Sequence, residues 1–183
     1  MIRVRLISCF LTGLQFFAGT HSTMAAEEMA APLFADSSAL PLILTGPFAQ
    51  IDAERERDRE YRGTAAWEEG GESRALDVKF EARGHFRRRE DICDHVPIWL
   101  DLDKDEVDGT LFAGQNRLKL VLQCRNSSSF ATYIAREHQV YQMFNVLSDV
   151  SLQSRMLRLT LRDSETGEER TQRALVLQHH KRL

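Results

Sequence analysis

The stretch SRALDVKFEAR at 73–83 decides the fold class. Leu76, Val78, Phe80 and Ala82 fall on one side of an extended chain, and Asp77, Lys79, Glu81 and Arg83 on the other. This period of two describes a strand with one buried face. Upstream, 61–68 is separated from it by Gly70-Gly71, so the two segments read as a hairpin.

Working outward, PIWLDL at 97–102 is a short strand followed by an acidic turn at 103–109. RLKLVLQC at 117–124 alternates again, with Leu118, Leu120, Leu122 and Cys124 on one face. RMLRLTLR at 155–162 and the segment 173–178 form a second hairpin about Gly167. Before the first hairpin, LPLILTGPFAQI at 40–51 is apolar and β-prone, and Pro41 and Pro47 place it at a sheet edge. The charge run AERERDREY at 53–61 reads as a solvated connection or a short helix.

One helix is expected, over 130–147. Tyr133, Ile134, Val140, Tyr141, Phe144 and Leu147 recur at spacings of three, four and seven, and the polar run 126–129 offers an N-cap. The fold class predicted is therefore α+β, an antiparallel sheet of about six to seven strands with one principal helix.

The chain has 183 residues, 43% hydrophobic and 28% charged, which suits a single globular domain. Its net charge of −3 points away from nucleic acid as a partner. Residues 1–26 have the anatomy of a signal peptide. Arg3 and Arg5 precede an apolar run at 6–19, and small residues at Thr23, Ala25 and Ala26 supply a cleavage site. The same run could instead be a buried N-terminal helix. Leu6-Ile7-Ser8-Cys9 has the look of a lipoprotein box, but too little apolar sequence precedes it. Cleavage would remove two of the 24 basic residues and none of the 27 acidic ones, leaving −5.

The expected organisation is a signal peptide at 1–26, a leader at 27–39, one domain at 40–178 and a basic tail at 179–183. The expected location is periplasmic or secreted, with no stable membrane anchor after cleavage. The mature chain keeps Cys93 and Cys124, an even pair that points to one disulfide, although spacing alone does not set their separation.

Lys119 on a strand and Glu137 on the following helix form the most suggestive pair. A strand lysine can hold phosphates as a mobile point charge while a helical carboxylate orients it. Two ordinary surface residues would look the same. VKFEARGHFRRR at 78–89, the PIWLDL strand and LFAGQNRLKL at 111–120 resemble the spore-coat CotH kinase-like family, over about 40–178.

The resemblance implies a protein-kinase-like N-lobe and phosphorylation of a secreted or coat protein with ATP and a divalent metal. Lys119 would be the phosphate-binding lysine and Glu137 its partner. Arg83, Gly84 and Arg87 would form the turn near the nucleotide. After Ala174 the chain passes into QHHKRL, where such a kinase would enter its second lobe, and no catalytic-loop aspartate follows. The resemblance thus implies a truncated N-lobe, inactive alone and without catalytic residues of its own. The competing class is a non-catalytic periplasmic binding or envelope-interaction module.

Other motifs carry less. Asp101, Asp103, Asp105 and Asp108 open like a calcium loop, but Glu106 and Phe112 stand where glycine and glutamate are needed. Cys93 and His95 with Asp91 and Asp94 lack a second cluster of zinc-like spacing. Arg87-Arg88-Arg89 reads as a solvated basic loop, Ser127–Ser129 as helix capping, and His179-His180 as tail.

Overall fold

Alternation governs the structure, a computed structural model that describes residues 31–180. Seven strands form: β1 (Leu40–Gly46), β2 (Glu60–Glu69), β3 (Glu72–Ala82), β4 (Ile98–Leu102), β5 (Arg117–Val121), β6 (Ser154–Asp163) and β7 (Glu169–Leu177). Helix α1 (Pro32–Ala35) precedes β1, α2 (Phe48–Ala53) follows it, and α3 (Ser128–Leu147) joins β5 to β6. The proposed signal peptide, Cys9 and residues 181–183 lie outside the described residues.

The strands close into a barrel in the order β1-β2-β3-β4-β5-β7-β6. Six pairings are antiparallel, and β1 runs parallel to β6 from Leu40↔Leu157 to Gly46↔Asp163. This corrects the expected antiparallel, kinase-like N-lobe sheet. The molecule is a closed mixed barrel, and β1 is no edge strand.

The prolines that marked β1 as an edge have local accommodations. Pro41 faces solvent and lies beyond the stretch, Ile43–Thr45, that pairs with β2. Its missing N–H therefore costs no ladder bond on that side. Pro47 follows the strand and caps α2.

Inward positions fill the barrel with Leu42, Leu44, Phe80, Ile98, Leu100, Leu118, Leu120, Leu157 and Leu159, all 2% exposed or less. Phe80 fits because Gly46 and Gly63 carry no Cβ; one at either position would collide with its ring.

The inward face of β6 ends in polar residues on both sides. Arg155 donates to the carbonyls of Ser38 and Leu33 and to the Asp36 carboxylate. It thereby ties down the described part of the 27–39 leader, where Leu33 is fully buried. At the other end Asp163 accepts N–H bonds from Ala49, Glu165 and Thr166, holding α2 in place.

A second, smaller apolar cluster lies outside the barrel. Val121, Leu175 and Leu177 point outward and are covered by Ile134 of α3, with Tyr141 and Met156 alongside. Both faces of β7 are buried over Ala174–Leu177 for this reason.

Candidate functional site

Register brings three strands' outward side chains together. Glu81 stands opposite Trp99, and Trp99 opposite Lys119; Asp101 stands opposite Arg117. Two residues beyond Glu81 is Arg83, on the same face. Three cations consequently surround one indole. The Arg117 guanidinium carbon is 4.7 Å from the Trp99 ring centre, that of Arg83 is 5.8 Å away, and Lys119 Nζ is 5.8 Å away. The ring's negative face stabilises cations held this way. His179, read as tail, packs on the same ring at 5.3 Å.

The cations differ in their counter-charges. Arg117 is paired with Glu81 and with Asp101, the latter at 3.3 Å. Arg83 and Lys119 have no carboxylate at ion-pair distance among the described residues. Among the described residues the Arg83 guanidinium donates to the Leu120 carbonyl alone, at 3.5 Å, and its Nε is buried without a hydrogen-bond partner. Burial and the charge of Arg83 both lower the pKa of Lys119.

Gly84 turns the chain after β3 with φ of 76°, a conformation natural to glycine. The 3-10 turn at Phe86–Arg88 follows. It separates the arginine triplet into three environments. Arg87 donates to the Leu122 carbonyl at 2.7 Å, beyond the end of β5. Arg88 is buried and bonded to Ala82 and Asp58. Arg89 pairs with Asp91 at the surface. The expected solvated basic loop is thus one exposed arginine, one buried, and one turned towards α3.

Glu137 of α3 exerts its field on Arg83 and Arg87, opposing the lowering that burial imposes on both guanidinium pKa values. Burial and then Glu137 raise the pKa of the neighbouring Tyr141 hydroxyl. The structure therefore gathers Arg83, Arg87, Lys119 and Glu137 into one region, with Gly84 setting the turn. Arg83 stands between Lys119 and Glu137 electrostatically.

The disulfide Cys93–Cys124, with Cα atoms 4.5 Å apart, locks this region. It joins the loop bearing Arg87 to the segment between Lys119 and α3. Asp94 N–H donates to the Cys124 carbonyl, and Arg125 donates to the carbonyls of Asp91 and Ile92. His95, once a candidate metal ligand, instead contacts Asp52 at 2.6 Å with Arg170 beside it. No His/Cys/Asp/Glu group suited to a metal ion occurs among the described residues.

The sequence reading gives Trp99 and Arg117 no role at a site and Tyr141 only a place in the helical pattern. Trp99 did leave a signal: it occupies the outward phase of β4, where Ile98, Leu100 and Leu102 already account for the core.

No protein-family model, curated protein or solved structure matches the chain. Among the described residues no helix is long and apolar enough to cross a membrane.

Proposed function

We propose that this chain is an exported, non-catalytic binding module that captures an anionic group of an extracytoplasmic partner at Arg83, Arg87 and Lys119. One observation carries the reading. Arg83 and Lys119 stand over Trp99, and Arg87, bonded to the Leu122 carbonyl, adds its charge to that of Arg83, with Glu137 as the carboxylate acting on both arginines. An added phosphate or carboxylate would relieve the mutual repulsion and supply an acceptor for the unpartnered Arg83 Nε. The disulfide supports a location outside the reducing cytoplasm. The closed mixed barrel supports this module over the kinase-like reading, whose resemblance implied an N-lobe sheet.

Calorimetric titration with inorganic pyrophosphate, and separately with Mg-ATP, tests the proposal. Binding should weaken with salt, and Lys119→Met should lower affinity about tenfold, the scale of one charge-assisted hydrogen bond. Equal affinity in the wild-type and Lys119→Met proteins would sink the assignment. Much tighter binding of Mg-ATP than of pyrophosphate would redirect it to a nucleotide.

A further inference from the structure

Most of the apolar positions whose spacing predicted α3 face outward. At 100° per residue, Tyr133, Val140, Phe144 and Leu147 fall within about 60° of arc on α3, and Met143 borders them. All five are exposed, from 49% at Val140 to 78% at Leu147. The barrel takes a different line of the helix, the one through Ile134 and Tyr141. Among the described residues nothing covers the outer stripe. The five side chains expose an apolar surface on the order of 600 Å², at the top of the range for a typical monomer's largest patch and approaching one side of a standard interface.

We propose that this stripe is a dimerisation seam, occupied by α3 of a second copy of the chain running antiparallel. The period of three, four and seven fits another helix, and α3 presents that period itself. It is also nearly symmetric about Val140: Tyr133 lies seven residues before it and Leu147 seven after. A two-fold axis at Val140 sets Tyr133 against the partner's Leu147. It sets Arg136, four residues before Val140, against the partner's Phe144, a cation–π pairing made twice. The surface is thus self-complementary, as a closed two-fold interface requires. Charge does not oppose the pairing, because α3 carries one basic residue, Arg136, and one acidic residue, Glu137, apart from His138. This inference is independent of anion binding at Arg83 and Lys119.

Sedimentation velocity on the full chain, expressed with its own N-terminal segment, tests the seam from micromolar to hundreds of micromolar protein. The wild type should move to twice its monomer mass, and Phe144→Asp should remain monomeric with an unchanged circular dichroism spectrum. Val140→Cys, at the axis, should cross-link to its own copy under mild oxidation. A wild-type chain that stays monomeric throughout overturns the proposal, whether or not it then binds lipid vesicles. A dimer that survives Phe144→Asp, or that leaves Val140→Cys uncross-linked, overturns it equally.

Discussion

Phe80 on β3 and Phe144 on α3 are the same side chain at the centre of equally regular apolar patterns, yet one is fully buried and the other 57% exposed. The difference lies in what each pattern can specify. A strand has two faces, so alternation divides its residues into inside and outside once the sheet curves around a core. A helix has a continuous circumference, and spacing identifies an apolar arc without saying which neighbour meets it. On α3 two apolar lines compete. The barrel takes Ile134 and Tyr141, where Val121, Leu175 and Leu177 wait, and leaves Tyr133, Val140, Phe144 and Leu147 outside.

Truncating both phenylalanines is the sharpest way to break this comparison. Phe80→Ala should destabilise by about 3–5 kcal/mol, because the closed barrel cannot collapse into the space left between Gly46 and Gly63. Phe144→Ala should stay within about 0.5 kcal/mol when measured dilute enough to keep the chain monomeric. Urea unfolding of both variants checks it. Similar losses would mean that α3 packs on the barrel through its outer stripe.

The same contrast explains how much could be read from sequence. The first hairpin, β5 and α3 were legible because each is written in local spacing, and the cysteine pair because two cysteines remain after the expected signal peptide. Closure was not. It depends on β1 lying parallel to β6, whose residues are more than a hundred positions away, and no local pattern names a strand's second neighbour. Prolines at 41 and 47 pointed to an edge because the sequence does not reveal that Pro41 lies outside the β2 ladder. At the site, Arg83, Arg87, Lys119 and Glu137 were found as residue types. The placing of Arg83 and Lys119 over Trp99 follows from cross-strand register, which becomes visible only with β3, β4 and β5 aligned, and Arg87 and Glu137 join them through the turn at Gly84 and through α3.

The disulfide separates the barrel from its attached surface in a second way. Cys93 and Cys124 are 31 residues apart, a loop for which the chain-entropy model gives about 3–4 kcal/mol. Cys93→Ser with Cys124→Ser should lower stability by about that amount. Because the bridge holds the Arg87 loop against the segment leading to α3, local loosening should concentrate there. Hydrogen exchange should quicken at 86–95 and 124–128 and remain slow in β3 and β6. Uniform acceleration through the barrel would show instead that the bridge supports the whole fold.

A smaller effect sharpens the comparison inside the barrel itself, where polar residues end an otherwise apolar strand face. Burial alone would raise the Asp163 pKa, but the N–H groups of Ala49, Thr166 and Glu165 outweigh it and hold the carboxyl below its ordinary value. The unfolded chain titrates near about 3.9. The stabilisation from this carboxylate is therefore complete above that pH and is lost as pH falls through the lower, folded value. Asp163→Asn keeps one acceptor oxygen and gives up the charge, so either α2 or the turn at 163–166 loses its anchor. The expected cost at pH 7 is about 1–2 kcal/mol. Unfolding curves of wild type and variant should converge once the pH falls below the folded value, since a protonated Asp163 and an asparagine bond similarly. A gap that persists in acid would place the cost in packing around α2 rather than in the charge.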